Sequence, residues 1–170
     1  MLSFFESYKK RDFEKAIGQT VNFVQDNHSV SNKGVLRGLH FQTGNFSQAK
    51  LVRVVKGSVL DVCVDIRPNS KTYGKHFSII LDAIEHKQLF IPRGFAHGFV
   101  VLSPEATFAY KVDNYYSPQC DRGIAFDDKD LNIDWQIDHS KLQLSTKDTK
   151  QPNFKDTQDL FEYGVNYYNE

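Results

Sequence analysis

From about residue 20 the chain alternates apolar and polar side chains with a period of two. Val21 and Phe23 stand between polar neighbours, and Val35-Leu36-Arg37-Gly38-Leu39-His40-Phe41-Gln42 follows a turn rich in Ser, Asn, Lys and Gly. Short β-branched or aromatic runs come next at Lys50–Val55, Val59–Ile66, His76–Leu81, Gln88–Ile91, Gly98–Leu102 and Thr107–Val112. They are separated by Lys56-Gly57, Pro68-Asn69-Ser70, Pro92-Arg93-Gly94 and Ser103-Pro104. Short strands spaced by roughly 8–12 residues predict a sandwich or barrel rather than a βαβ fold. Ahead of them, Phe4 to Ile17 predicts a short strand and then a helical turn around Arg11-Asp12-Phe13-Glu14. Beyond Tyr116 the rhythm stops. Asp127 to Asn169 is polar, with scattered anchors at Leu131, Trp135 and Leu142. A free loop of that length is uncommon, so this stretch is expected to wrap the β core and contribute to a site or an interface. The expected organisation is one domain over residues 1–170, with a barrel at about 20–116 and a C-terminal wrap over 117–170.

Composition narrows the function classes. The 170 residues (19.6 kDa) carry 21 Lys plus Arg against 21 Asp plus Glu. A balanced charge gives no basis for a non-specific hold on nucleic acid or an anionic membrane, so any bound anion must meet locally placed cations. Two cysteines, Cys63 and Cys120, are too few for a disulfide scaffold, and no CxxC or Cys/His quartet suggests a structural zinc. No apolar run reaches the length of a membrane span, and the expected compartment is the cytoplasm. Fourteen Phe and eight Tyr against one Met suggest a β-rich protein with ring-lined interior surfaces.

Two segments carry candidate chemistry. In Arg37-Gly38-Leu39-His40-Phe41-Gln42, strand alternation puts Arg37, Leu39 and Phe41 on one face and Gly38, His40 and Gln42 on the other. Pro92-Arg93-Gly94-Phe95-Ala96-His97-Gly98 reads as a turn that delivers a histidine at the start of a strand. Its Pro-x-Gly-x-x-His spacing resembles the second signature of cupin barrels. The first cupin signature supplies a His-x-His pair and a glutamate, whereas Phe41 and Gln42 follow His40 here, so no metal site is expected. By alternation Lys50 shares a face with Val52 and Val54, and Tyr110 shares one with Phe108 and Val112. If those faces are interior, His40, Lys50, His97 and Tyr110 meet in one barrel mouth. A base, a cation and a phenol suit proton abstraction beside a carbonyl: the base removes the α-proton, the ammonium holds the enolate oxygen, and the phenol returns a proton to the opposite face. The bland readings are a hydrogen-bonded structural His40, a snorkelling Lys50 and a core Tyr110. Asp61 and Asp65 read as carboxylates that satisfy turns, and Tyr115-Tyr116 as a possible interface patch.

Longer motifs carry a closer resemblance. Gln25-Asp26-Asn27-His28-Ser29, Gly34 through Gln42, Gln48-Ala49-Lys50-Leu51-Val52-Arg53-Val54, Phe90 through Phe99, and Tyr110-Lys111 followed by Tyr115-Tyr116 together resemble the dTDP-4-dehydrorhamnose 3,5-epimerase family, from about residue 4 to 154. The resemblance implies an all-β cupin jelly roll and a homodimeric, cofactor-free and metal-free enzyme acting on a dTDP-sugar, dTDP-4-dehydro-6-deoxy-D-glucose. It makes His40 the base, Asp148 of Leu144-Ser145-Thr146-Lys147-Asp148 its partner, Lys50 the group beside the keto oxygen and Tyr110 the acid. His97, Tyr116, Gln25, Asn27, Arg37, Asp121 and Lys147 fall on substrate-contacting positions, and Glu6 on a residue that reaches a partner subunit's site. Asp121 replaces a common glutamate. Family members also carry roughly twenty more residues ahead of Phe4-Phe5-Glu6-Ser7-Tyr8, where this chain has Met1-Leu2-Ser3, so its N-terminus is expected to be truncated. The open alternatives are an epimerase of C3 or C5 only, a non-catalytic sugar-nucleotide binding protein and, least of all, a metal-dependent cupin oxygenase.

Overall fold

The computed structural model describes residues 4–158 and 160–168, so Met1-Leu2-Ser3 lie outside the described residues. Among the described residues nine strands form: β1 Gln25–Asn32, β2 Leu36–Gln42, β3 Lys50–Lys56, β4 Ser58–Asp65, β5 His76–Asp82, β6 Gln88–Ile91, β7 Phe95–Val101, β8 Glu105–Val112 and β9 Asp121–Gly123. They build two antiparallel sheets, ordered β1-β8-β3-β6 and β5-β4-β7-β2-β9. With β9 set aside, this is the strand order of a cupin jelly roll, two Greek keys folded face to face.

The most apolar strand shows how the sheets are covered. Along β4, Val59 and Cys63 point into the space between the sheets, where they meet Val52, Val54, Leu81, Phe99 and Phe108. The alternate residues Leu60, Val62 and Val64 face outward, yet they are equally buried. The C-terminal wrap covers them with Ile124, Leu131, Ile133, Trp135 and Phe161, and the Trp135 indole N–H donates to Phe126 O at 2.8 Å. Burial on both faces explains why β4 reads as a continuous apolar run. The polar tail is held by caps: Asp128 accepts from the backbone of Asp130 and Leu131 at 2.9 Å and of Phe154 at 2.7 Å.

Three sequence expectations change. Phe4 to Lys9 forms no strand; instead α1, Lys10–Ile17, forms a full helix closed by Gly18, whose φ of 73° lets its N–H reach Glu14 O. Phe13 anchors α1 on Phe90 and Phe23, at ring separations of 5.2 and 5.4 Å. The first strand begins at Gln25, not near Val21, and it is almost wholly polar. It sits at a sheet edge paired only with β8, so apolar alternation is not required of it. Strand β7 starts three residues earlier than its apolar pattern, at Phe95, because Pro92-Arg93-Gly94 completes the turn before it.

Candidate active site

The space between the sheets opens into a cavity of about 590 Å³. His40, Lys50, His97 and Tyr110 all line it. His40 and His97 are register partners on β2 and β7 of the five-stranded sheet. Lys50 and Tyr110 come from β3 and β8 of the opposite sheet, where Tyr110 pairs with Val52 and Lys50 with Val112. The cavity therefore has imidazoles on one wall and an ammonium and a phenol on the other.

Arg37 lines the same cavity, against the simple alternation that sets it opposite His40. The β2–β7 register shifts between Arg37 and His40. At that irregularity Gly38 has φ 135°, and a Cβ there would lie 2.4 Å from Gly98 Cα, so only a backbone without side chains fits between the strands. The slip resets the alternation, and Leu36 and Leu39 both turn into the outer core. Arg37 itself donates to Ser31 Oγ at 3.3 Å.

The tail delivers the partner of His40. Gln143 N–H bonds Gly34 O at 2.8 Å and Leu36 N–H bonds Gln143 O at 3.1 Å, tying the tail beside β2 just before Leu144. Asp148, buried, then accepts from His40 Nε2 at 2.6 Å and from Ser145 Oγ at 2.7 Å. Because an ionised carboxylate only accepts, Nε2 carries the imidazole proton and Nδ1 keeps a free lone pair. Burial alone would raise the Asp148 carboxyl, but the bonds from His40 and Ser145, the attraction to the His40 imidazolium once a proton is taken up and the Gly38 N–H outweigh it and hold it below its ordinary value.

The other groups are tuned by burial. Desolvation lowers Lys50 to about 8, opposed by Asp61 and Asp121 and assisted by Lys147. Desolvation raises the Tyr110 phenol against a smaller effect of Arg37. It lowers His97, despite the charge and hydrogen bond of Asp61. Asp61 is thus not the turn-satisfying carboxylate that the sequence suggests. Fully buried on β4, it accepts from His97 Nε2 through both oxygens at 3.0 Å. Asp65 does serve a turn, binding Arg67, Ser70 and Thr72. Sequence reading missed Asp61 and Ser145. The signal for Asp61 was available as a lone carboxylate in the middle of an apolar strand run.

The remaining candidates divide. Asp121 accepts from Tyr116 Oη at 2.9 Å and pairs with Lys147, and all three line the cavity mouth. Gln25 and Asn27 do not line it. Their register opposite Val112 and Tyr110 places them on its side of the sheet, toward the open edge, where Gln25 Nε2 donates to Asn27 Oδ1 at 2.8 Å. Glu6 also lies outside it, exposed and paired with Lys9 at 2.7 Å. Among the described residues no three His, Cys, Asp or Glu side chains gather in a way that could hold a metal, and no helix is long and apolar enough to cross a membrane.

Residues 3–156 match the family profile described as dTDP-4-dehydrorhamnose 3,5-epimerase. The enzyme of that name from Escherichia coli (strain K12) is 54% identical over 147 residues, covering 86% of this chain and 79% of that one. The crystal structure of dTDP-6-deoxy-D-glucose-3,5-epimerase from Legionella pneumophila, in complex with dTDP-4-keto-L-rhamnose, is similar with a TM-score of 0.90 at 45% identity, covering 95% of this chain and 86% of that one. A 3'-monoepimerase from Streptomyces bikiniensis in complex with dTDP-quinovose is similar with a TM-score of 0.81 at 31% identity, covering 88% and 75%.

Proposed function

The chain belongs to the dTDP-4-dehydrorhamnose 3,5-epimerase family, and we propose that it inverts C3 and C5 of dTDP-4-dehydro-6-deoxy-D-glucose to give dTDP-4-dehydro-L-rhamnose, in dTDP-L-rhamnose biosynthesis. The observation that carries this reading is the His40–Asp148 pair on one cavity wall with Lys50 and Tyr110 on the opposite sheet. The 4-keto group acidifies the protons on both neighbouring carbons. His40 Nδ1 takes the C5 proton, and the C–H electron pair becomes the C4–C5 double bond of an enolate. Lys50, largely ammonium near neutral pH, stabilises the negative oxygen. Tyr110, kept protonated by burial, gives its proton to the other face of C5 and the carbonyl re-forms. Proton exchange with water restores His40 and Tyr110, and the same cycle acts at C3.

In this reading Arg37 meets the diphosphate with its two-pronged guanidinium. His97, Tyr116, Asp121 and Lys147 contact the sugar nucleotide, with Gln25 and Asn27 at its outer edge. We also read the enzyme as a homodimer. The exposed edge of β1, with Val30 and the preceding Val24 open to solvent, invites a covering strand, and Glu6 lies outside the cavity of its own chain. Free Cys63 and Cys120 suit a reducing cytoplasm.

The similarity to a 3'-monoepimerase keeps single-centre inversion as the second reading. Proton NMR of the 4-keto substrate in deuterated buffer separates the two. Deuterium at both C3 and C5 is expected. Label at one carbon means the monofunctional reaction, and no label with retained nucleotide binding refutes catalysis altogether.

A further inference from the structure

We infer that Asp61 is the positioning residue of the keto-oxygen end of the site: one buried carboxylate that orients His97 through both oxygens and supplies the countercharge across the barrel for Lys50. This deepens the epimerase reading and rests on it for the identity of that oxygen.

Asp61 is poorly provided for as a structural carboxylate. It is completely buried, in an inner core that includes Val59, Cys63, Phe99 and Phe108, and among the described residues its hydrogen-bond donor is the His97 ring alone. Asp65, four residues on along the same strand, accepts from Arg67 Nε and the Arg67 amide, from a second guanidinium nitrogen and from two hydroxyls. A buried charge with a single, neutral partner is costly unless an opposite charge lies close. Lys50 is the complementary case: among the described residues no carboxylate lies within ion-pair distance of it. Charge from Asp61 nonetheless reaches Lys50, as the first of the groups that oppose its desolvation. The two charges stand on facing sheets, Asp61 on β4 and Lys50 on β3.

The groups around Lys50 can be named by element. His40 and Arg37 come from β2, His97 from β7, Tyr110 from β8 and Asp121 from β9, while Lys147 and Asp148 come from the tail. His97 is kept neutral by burial, and Asp148 is committed to His40. Asp121 is bound by Lys147 and Tyr116. Among the described carboxylates of this end of the site, Asp61 is therefore the one with no cation paired to it, and it stands on the sheet that faces Lys50. Its bond to Nε2 also fixes the His97 tautomer, leaving Nδ1 as an acceptor. An asparagine in its place can donate to Nε2 and move the ring proton to Nδ1.

The test is Asp61→Asn, read in two ways. In the substrate-free enzyme, acetylation of Lys50 by acetic anhydride is followed by mass spectrometry against pH. The proton affinity of Lys50 should fall about tenfold, moving the curve acidward by about one pH unit. In the working enzyme, the basic limb of solvent-deuterium exchange should move by the same amount. His97→Gln keeps the Asp61 charge, so it should raise KM while leaving the Lys50 curve within twofold. Unmoved Lys50 titration in folded Asp61→Asn overturns the inference, and so does a large movement in His97→Gln, which decides the matter even if Asp61→Asn does not fold. Wild-type enzyme that exchanges no deuterium while its Lys50 curve still depends on Asp61 refutes the epimerase reading and leaves the charge assignment standing.

Discussion

Replacing Asp148 by asparagine isolates the effect of one charge on the proposed base. The side chain is buried and sits 2.6 Å from His40 Nε2, with Ser145 Oγ on its second oxygen at 2.7 Å. Asparagine preserves this shape but presents an N–H where the carboxylate presents a lone pair. Donation from that N–H to Nε2 forces the imidazole proton onto Nδ1, the atom that must be free to take the C5 proton. An orienting carboxylate in a comparable acid–base triad is worth about 10⁴-fold. His40 is 28% exposed, so water competes for the ring and a smaller effect is expected. We expect a loss of about 10²–10³-fold in the rate of deuterium incorporation at C5, or about 2.7–4 kcal/mol of barrier, with KM little changed. The fold should survive, because Leu131, Trp135 and Phe161 anchor the wrap independently of this residue. Acid stability gives a second readout. Asp148 binds its proton less tightly in the fold than when unfolded, so its contribution is present above the ordinary carboxylate value and is lost as pH falls from that value through the lower one it has in the fold. The stability difference between wild type and variant should therefore shrink on acidification. A folded variant whose exchange rate stays within threefold of wild type would refute the dyad.

Lys50→Met should abolish exchange at both carbons; deuterium incorporation within threefold of wild type would remove Lys50 from the mechanism. In the wild type, the folded state sheds the Lys50 proton at about 8 while the unfolded chain keeps it, so stability should rise with pH between about 8 and 9 as activity falls. Above that window Cys63, held protonated up to about 12, acts in the opposite direction, and parallel titrations of wild type and Lys50→Met isolate the lysine. Tyr110→Phe should uncouple exchange from inversion, and NMR should find deuterium at C5 of unreacted substrate; undiminished inversion would dismiss Tyr110 as the acid. Gly38→Ala should cost on the order of 3 kcal/mol, because the new Cβ meets Gly98 Cα at 2.4 Å on a backbone with φ 135°; a loss below about 1 kcal/mol in calorimetry would show that the strands can part cheaply.

Period-two alternation was enough to place the inner strands, because a strand buried on one or both faces must show its core partners in its composition. Lys50 with Val52 and Val54, and Tyr110 with Phe108, followed from the pleat alone. Edge strands escape that rule. Strand β1 satisfies its backbone against β8 and keeps a polar outer surface, while three-residue β9 is too short to carry a period. Other features depend on contacts between residues far apart in sequence, where no local pattern exists to read. A register slip, packed glycine against glycine at Gly38 and Gly98, turned Arg37 to the side of His40. Pairing of β4 with β7 set Asp61 against His97. The return of the tail along Gly34 and Leu36 brought Asp148 across 108 residues to His40, a partner that family resemblance named. Local sequence sets which faces are apolar. The proton on Nε2 of His40 and of His97 and the charge on Lys50 depend on which carboxylates the closed barrel brings close, because electrostatic interactions act through space in a desolvated interior.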